Sequence, residues 1–401
     1  MAATSDTLAA ERDRTHPASR CGLSPSTGLA ALAHAALALP ILALPVKAGA
    51  AEVGEVGFNV LGYKERGLMK ITEPVLWGRA RFLDSWEVQG SAAVDIISGA
   101  SPQLVSNATG RPVQTITGAS VVDHRNTADA KLTRRFGEFS LAVSGAYSHE
   151  EDYRSKAFGI EGRADLNQRN TTLIAGYGQS KDRVGSSDNP LLDAPRDTKE
   201  YLAGVTQVLS PTALVSSTLA VSRGRGWYND PYKLTFTFFP SGPPLVAADV
   251  RPDHRNSVAW LTRFRNHLPS LDATLQADYR YFTDDWGIRA HTLEVAWHQS
   301  LGPRWAIRPA LRYYTQDAAD FYSPVVTRPL AAVHSSDQRL AAFGGVSPSM
   351  RVILRLDDKL TVEGTLGYVH NARNLRFGSS GSEAFETLRA YYAIVGVTHA
   401  F

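Results

Sequence analysis

Cysteine is almost absent from the 401-residue sequence, because Cys21 is its only example. Cys21 lies in an N-terminal segment that we expect to be removed, so the mature chain would carry no thiol. Disulfide frameworks and CxxC redox chemistry are therefore disfavoured. A chain without thiols suits an oxidising compartment of the cell envelope.

A strong excess of charge of either sign is also missing. The net charge is +3 and 20% of the residues are charged, so no nucleic-acid partner is expected. Beyond residues 29–45 the chain has no apolar run of about 18 residues, which disfavours a helical membrane protein. The mean hydropathy is −0.19. A transmembrane β-barrel has this composition because only alternate residues meet lipid.

The N-terminus carries the one long apolar run, LAALAHAALALPILALP at residues 29–45. Arg12, Arg14 and Arg20 precede this run, and Ala48-Gly49-Ala50 follows it with the small-x-small pattern of a cleavage site. These features predict a secretory signal peptide over residues 1–50. The alternative is a short membrane anchor, for which the run is too short.

The usual catalytic signatures are missing as well. The histidines form no HExxH pattern, and the chain has no GxSxG elbow and no phosphate-binding glycine loop. His298 and Glu294 share a predicted strand face and could form a base with its orienting partner. A polar contact is the preferred interpretation, so we predict no catalytic residue, no metal site and no cofactor.

Alternation of apolar and polar residues is the main positive signal. In residues 271–281, Leu271, Leu275 and Tyr279 fall on one face, whereas Asp272 and Asp278 fall on the other. A strand places successive side chains on opposite faces, so this segment predicts a strand with one apolar face. The same pattern recurs in segments of about 10–14 residues, the length of a tilted membrane strand.

Short turns and long loops alternate between these segments. Seven short turns, for example at 83–85 and 301–303, would face the periplasm. Eight longer connections, for example at 181–198 and 316–335, would face outward. The sequence therefore predicts an all-β fold, a single antiparallel transmembrane barrel over residues 54–401. We expect about 16 strands, with 14 as the alternative.

The C-terminal segment LRAYYAIVGVTHAF ends on an aromatic residue of an alternating strand. Tyr391, Val395, Val397 and Phe401 share one face, a pattern that resembles the signal read by the barrel-assembly machinery. His399 occupies a position that is usually apolar in such signals. We therefore expect an outer-membrane location, with membrane lipid and the assembly machinery as partners.

Several segments resemble an uncharacterised family, domain of unknown function 3570. The resemblance lies in KITEPVLWGRARF (70–82), VDIISGASP (94–102), HEEDYRS (149–155) and the closing strand, and it covers residues 54–401. It implies an outer-membrane barrel and supplies no catalytic residue. It also implies a link to redox or flavin chemistry of the envelope.

Charged residues of the polar faces are the candidate lumen lining. A cationic ring in a pore can select anions, whereas carboxylates in the same lumen could neutralise the arginines in a closed or narrow barrel, which is the favoured interpretation. The candidates are Arg263, Arg265, Arg280, Arg308, Arg312, Asp272, Asp278 and Glu294.

The outward loop at 226–255 is unusually aromatic. Aromatic side chains in water are costly unless they pack on something, so this loop could form a constriction, bind a ligand or extend two strands above the membrane. The β-extension is the preferred interpretation. The residues concerned are Trp227, Tyr228, Tyr232, Phe236, Phe238 and Phe239.

Three functions remain open at this point. The first is a pore for small solutes, with Arg308 and Arg312 in its lining, or the outer-membrane component of an envelope system. The second is a plugged barrel that acts as a scaffold and docks a periplasmic partner. The third is a barrel enzyme, which the missing motifs disfavour.

Overall fold

The computed structural model describes residues 54–66, 69–99, 102–106, 113–116, 121–237, 245–324 and 331–401. The predicted signal peptide at 1–50 lies outside the described residues. Among those that are described, no helix is both long and apolar enough to cross a membrane.

Sixteen antiparallel strands form one closed barrel, in which successive barrel strands pair with each other and the first strand pairs with the last. The predicted number of 16 is thus confirmed. The barrel strands are β1 (Gly54–Glu65), β2 (Met69–Phe82), β3 (Trp86–Gly99), β6 (Val121–Phe136), β7 (Phe139–His149), β8 (Tyr153–Leu166), β9 (Thr171–Val184), β10 (Ala194–Ser210), β11 (Ala213–Gly226), β14 (His254–Leu268), β15 (Ala273–Asp284), β16 (Arg289–Leu301), β17 (Trp305–Gln316), β18 (Phe343–Arg355), β19 (Leu360–Ala372) and β20 (Leu388–Ala400).

Two short hairpins lie outside the barrel wall. β4 (Pro102–Ser106) pairs with β5 (Val113–Ile116), and β12 (Leu234–Thr237) pairs with β13 (Leu245–Ala248). β12 contacts β4, so the hairpins of two different long loops meet. Short 3-10 turns occur at Pro269–Leu271, Gln338–Leu340 and Arg373–Leu375.

The outward face of the barrel is apolar over its middle. The exposed side chains there include Leu76, Leu293, Leu311 and Leu366. Exposure of leucine to water is unfavourable, so these side chains must contact something other than water. A closed barrel satisfies its backbone hydrogen bonds internally, and an apolar outer belt is the surface that lipid requires. The chain is therefore an outer-membrane β-barrel. Its short turns lie at one end and its long loops at the other, and in barrels of this kind these are the periplasmic and outer ends.

The periplasmic turns are built on backbone of positive φ. Asn167, Gln168 and Arg169 have φ of 51°, 56° and 67°, and Gly302 has φ of 82°. Asp272, with φ of 46°, belongs to the turn that closes before β15 begins at Ala273. Its placement in the predicted strand is therefore corrected, because a left-handed residue ends the ladder there.

Some strands extend further toward the outer end of the barrel than the alternation predicts. β9 reaches Val184 and β10 begins at Ala194, so their connection is shorter than the predicted loop at 181–198. The connection between β17 and β18 is longer than predicted, because β18 begins only at Phe343. Above the membrane the outward face need not be apolar, so the alternation loses its contrast.

Candidate functional site

The strand register places the charged candidates on one surface of the sheet. Arg263 is paired with Asp278, Asp278 with Glu294, and Glu294 with Arg312, so these four side chains share a row across β14 to β17. The residues next to them along the strands, such as Leu293 and Leu311, form the lipid-facing belt. The row therefore projects into the lumen. Arg265, Arg280 and Arg308 share its inward face.

Carboxylates bind several of these arginines. Arg265 Nη2 donates to Asp278 Oδ2 at 3.0 Å, and Arg263 Nε lies 3.9 Å from the same oxygen. Arg308 lies 3.4 Å from Glu294 and donates to Gln276 Oε1 at 3.1 Å. These contacts follow the interpretation in which lumen charges neutralise one another.

Arg280 and Arg312 are different, because neither takes part in an ion pair within the described part of the chain. The Arg280 guanidinium lies 5.1 Å from the ring centroid of Phe282. Arg312 is exposed although it projects inward. A guanidinium without a carboxylate partner is tolerated only where water or a mobile anion reaches it. The basic wall formed by β14 to β18 therefore borders solvent.

The other side of the lumen is acidic. Lys131 and Glu161 form an ion pair at 2.9 Å, and Arg79 and Glu55 form another at 3.0 Å. Inward carboxylates outnumber inward cations on β1 to β3 and β6 to β10, which we call the acidic wall. The carboxylates are Glu55, Glu65, Glu73, Glu87, Asp95, Asp129, Glu161, Asp165, Asp182 and Glu200, and the cations are Arg79, Arg81, Arg125, Lys131, Arg135, Arg163 and Arg196.

Small residues leave space along part of the acidic wall. Ala142, Ser144, Ala157 and Gly159 border a small recess that also reaches Glu200. Alanine, serine and glycine side chains cannot fill the interior of a barrel of this size. The recess is therefore a local gap in the packing of the wall next to β7 and β8.

The aromatic loop residues pack at the outer mouth of the barrel. Trp227 packs on Tyr153 and Val184, and Tyr228 lies edge-on to Trp286 with ring centroids 5.5 Å apart. Tyr232 is buried and its hydroxyl accepts a hydrogen bond from Ser187 N at 2.8 Å.

Of the three phenylalanines in this loop, only Phe236 lies within the described residues. Phe236 belongs to β12, so a short β-hairpin does stand above the membrane, but it forms its own sheet and does not prolong β11 or β14. Phe238 and Phe239 lie outside the described residues.

Two long loops join to cover this mouth. Residues 227–237 and 245–253 contact residues 317–324 and 331–342, and together we call these segments the outer cap. Val250 and His334 form a β-bridge, and His334 Nε2 lies 3.0 Å from Ala248 O. Trp286, Ala319 and Leu340 belong to one buried apolar cluster. The cap is therefore a packed unit on the barrel.

Buried charges connect the halves of the outer cap. Arg251 donates to Asp249 at 2.5 Å and to Asp337 at 2.9 Å, and Arg339 donates to Asp230 at 2.6 Å. Arg339 also binds both oxygens of Asp337 through Nε, at 2.9 and 2.8 Å. Asp230, Asp249 and Arg251 come from one loop, and Asp337 and Arg339 come from the other. The network thus holds the two loops together.

The pKa values in the cap reflect this pairing. Burial raises the pKa of Asp337, but the guanidiniums of Arg339 and Arg251 outweigh burial and hold that pKa well below its usual range. Burial raises the pKa of Asp249, and Arg251 offsets only part of the rise. The ionised form of Asp337 therefore stabilises the cap, whereas the ionised form of Asp249 lowers its stability.

Sequence reasoning missed this network, although the sequence carries a signal for it. Asp249-Val250-Arg251 and Asp337-Gln338-Arg339 repeat an Asp-x-Arg pattern in the two longest loops. Their mutual position follows from tertiary contacts and not from spacing.

The remaining candidate residues lie on the strands of the barrel wall. His298 projects inward on β16 like Glu294, and its register partner is Thr274. No group of three or more metal-ligating side chains exists in the part of the chain that the structure covers. Tyr391, Val395, Val397 and Phe401 all face outward near the seam between β1 and β20.

Comparison with solved structures finds similar barrels at low identity. A bacterial polysaccharide outer membrane secretin is 9% identical with a TM-score of 0.49, covering 88% of this chain and all of that one. OmpT of Vibrio cholerae is 9% identical with a TM-score of 0.43, covering 88% and 99%. CdiB from Acinetobacter baumannii is 7% identical with a TM-score of 0.49, covering 87% and 61%.

No curated protein matches the sequence. A family model does match it, over residues 29–194 and 190–388, and the family is described as a protein of unknown function, DUF3570. These matches span most of the chain and include the first three segments that carry the resemblance, whereas the closing strand lies beyond them except for Leu388. The chain belongs to the DUF3570 family of proteins of unknown function.

Proposed function

We propose that this barrel is a hydrated outer-membrane channel for small polar solutes, and that its outer cap limits entry. One observation carries the proposal: Arg280 and Arg312 project into the lumen without an ion-pair partner among the described residues. Uncompensated charge in a dry, plugged interior costs several kcal/mol per ion. A water-filled lumen removes that cost.

Transport here would be diffusion between two walls of opposite charge, without a covalent step. The basic wall of β14 to β18 and the acidic wall of β1 to β10 would set which solutes pass, as rings of charged side chains do in other pores. The barrel-assembly machinery would act on β20 during insertion.

The test is single-channel conductance of the refolded chain in planar bilayers, with reversal potentials in a salt gradient. We expect small steps from the native chain and a shift toward cation preference in Arg280→Gln/Arg312→Gln. Lys64→Gln/Lys70→Gln removes equal charge from outward positions and is expected to leave the reversal potential unchanged.

A scaffold barrel is the second candidate, and the packed outer cap favours it. This alternative predicts no conductance from the native chain and none from a variant with a loosened cap, together with a periplasmic partner that co-purifies with the barrel. Absence of conductance from both folded proteins would replace the channel proposal with the scaffold.

A further inference from the structure

Seven basic side chains cluster on the outward face of β8 to β11, at the outer end of the barrel. All of them are exposed. We call this cluster the basic patch. It consists of Arg154, Lys156, Lys181, Arg183, Lys199, Arg223 and Arg225.

The strand register sets like charges directly opposite one another. Arg154 is paired with Arg183, and Lys156 with Lys181, between β8 and β9. Lys199 is paired with Arg223 between β10 and β11. Directly opposed like charges destabilise a sheet, so this arrangement costs free energy unless anions from outside the chain neutralise it.

The chain itself supplies little compensation. Arg183 forms the one ion pair found for these seven side chains in the described residues, at 3.5 Å from Asp193, and both partners are more than half exposed. Asp197 lies between Lys181 and Arg225 in the register and accepts a hydrogen bond from Gln179 at 2.6 Å. Asp253 lies near Arg225, so three carboxylates face seven cations.

Aromatic side chains fix the height of the basic patch relative to the membrane. Phe158, Tyr177 and Tyr201 face outward on adjacent strands, with ring centroids 6.0 and 5.4 Å apart. Such girdles mark the membrane interface. Lys156 lies two residues closer than Phe158 to the outer end of the barrel, and Lys199 lies two residues closer than Tyr201 to the same end. At roughly 3.3 Å per residue, the patch stands at the level of lipid headgroups.

The cluster is one-sided. At the periplasmic ends of the same strands the outward positions include Leu166, Leu173 and Val215, which are apolar. General solubility would not confine cations to one end of four strands. The placement fits an anionic surface that exists in the outer leaflet.

We propose that the basic patch binds the phosphate groups of an anionic glycolipid of the outer leaflet. Arginine and lysine at a lipid surface attract phosphate through charge and charge-assisted hydrogen bonds. Phe158, Tyr177 and Tyr201 would contact the acyl region beneath. The proposal is independent of any channel activity.

The test uses the full barrel in a zwitterionic detergent, titrated with diphosphoryl lipid A and with its dephosphorylated form. We expect the phosphorylated lipid to bind with salt-sensitive affinity, and Lys156→Gln/Lys181→Gln/Lys199→Gln/Arg223→Gln to bind it at least about tenfold more weakly. In lipid-free detergent the same variant should unfold at an equal or higher temperature, because like charges have been removed. A purely structural role would lower that temperature.

The matched control removes four exposed cations at the periplasmic end, in Arg134→Gln/Arg169→Gln/Arg304→Gln/Lys359→Gln. We expect this control to bind the phosphorylated lipid like the native chain. Equal binding of the dephosphorylated lipid, native affinity in the patch variant, or an equal loss in the control would overturn the proposal. Displacement of the lipid by equimolar inorganic phosphate would also overturn it, since the site would then recognise free phosphate.

Discussion

Glu294 and Arg312 are direct register partners on β16 and β17, yet the carboxylate of Glu294 pairs with Arg308 at 3.4 Å. Arg308 lies four residues along the strand from Arg312, toward the periplasm. The choice of partner leaves Arg312 exposed to the lumen and determines where free positive charge remains. The selectivity of the proposed channel therefore also depends on Arg308, although Glu294 neutralises its charge.

Arg308→Gln should shift the reversal potential toward cations by as much as Arg312→Gln does. Without Arg308, Glu294 is free to bind Arg312. This one substitution would therefore remove the charge of Arg308 and also neutralise the free charge of Arg312. Reversal potentials in a tenfold salt gradient measure the effect.

Glu294→Gln should act in the opposite direction, because it releases Arg308 and leaves Arg312 free. Arg304→Gln, in a periplasmic turn, serves as the control with no expected shift. Shifts of the same sign in Arg308→Gln and Glu294→Gln would show that this pair does not line the conducting path.

Asp337→Asn should loosen the outer cap. Arg251 and Arg339 would lose their shared carboxylate, and breaking a buried charge pair costs about 3–5 kcal/mol. We expect faster proteolysis within residues 227–253 and 317–342 and larger conductance steps. Both can be measured on one refolded preparation.

Asp193→Asn is the matched control for that variant, because Asp193 is exposed and pairs only with Arg183 at 3.5 Å. Exposed pairs of this kind contribute about 0–1 kcal/mol, so native proteolysis is expected. Equal protection of the cap in Asp337→Asn and in the native chain would contradict its role.

The pH dependence of the cap follows from two carboxylates with opposite shifts. The pKa of Asp337 is lowered on folding, so its contribution is fully present above the unfolded pKa of about 4 and is lost as the pH falls further. The pKa of Asp249 is raised, so its ionised form costs stability at neutral pH and protonation on acidification removes that cost.

Protease resistance of the cap should therefore persist from neutral pH to about pH 5 and fall below about pH 4. Asp337→Asn should lose this acid transition because its carboxylate is gone. Limited proteolysis with an acid-tolerant protease over this range checks both. A loss of resistance near neutral pH would show that other groups control the cap.

Gly224→Ala should open the mouth on the side of β11. A methyl group on Gly224 would collide with the Tyr228 hydroxyl, and Tyr228 is the residue that packs on Trp286. We expect larger conductance steps, as for Tyr228→Ala. Gly62→Ala, where an added methyl group meets nothing within 4 Å, should conduct like the native chain.

Phe401→Ala should slow insertion in cells without weakening the finished barrel. The backbone of Phe401 already joins β20 to β1, donating to Gly54 O at 2.9 Å and accepting from Gly54 N at 3.1 Å. The ring faces outward and is 53% exposed, so refolding in detergent is expected to be native.

Cell fractionation and heat-modified gel migration measure this assembly. Leu366→Ala, at an exposed outward position of β19, is the control and should insert normally. Equal defects in cells and in detergent would assign Phe401 to barrel stability and not to recognition by the assembly machinery.

Much of the barrel can be predicted because lipid on one side imposes period two. Leu293 and Leu311 meet lipid while Glu294 and Arg312 meet the lumen, so parity alone assigns both faces. Parity fails where lipid ends. β9 and β10 continue to Lys181 and Lys199 on an outward face that is no longer apolar, and the predicted loop there was too long.

The site was less predictable than the fold. Parity assigns Arg308 and Arg312 to the lumen but cannot tell which of them Glu294 binds, since the side chains reach across rows. Asp249 lies two residues from Arg251 in the same loop, but Asp337 is far away in the chain, and only the packing of the two loops brings it to Arg251. Such contacts have no local sequence rule.

Separation of charge between the basic and acidic walls has a consequence for the solute's orientation. The electric field of such a lumen points across the barrel and not along its axis, and low-dielectric walls strengthen it. A zwitterion would turn its carboxylate toward Arg280 and Arg312 and its ammonium group toward the carboxylates of the acidic wall. Passage would then depend on the dipole of a solute as well as on its size, so isomers of equal charge would cross at different rates.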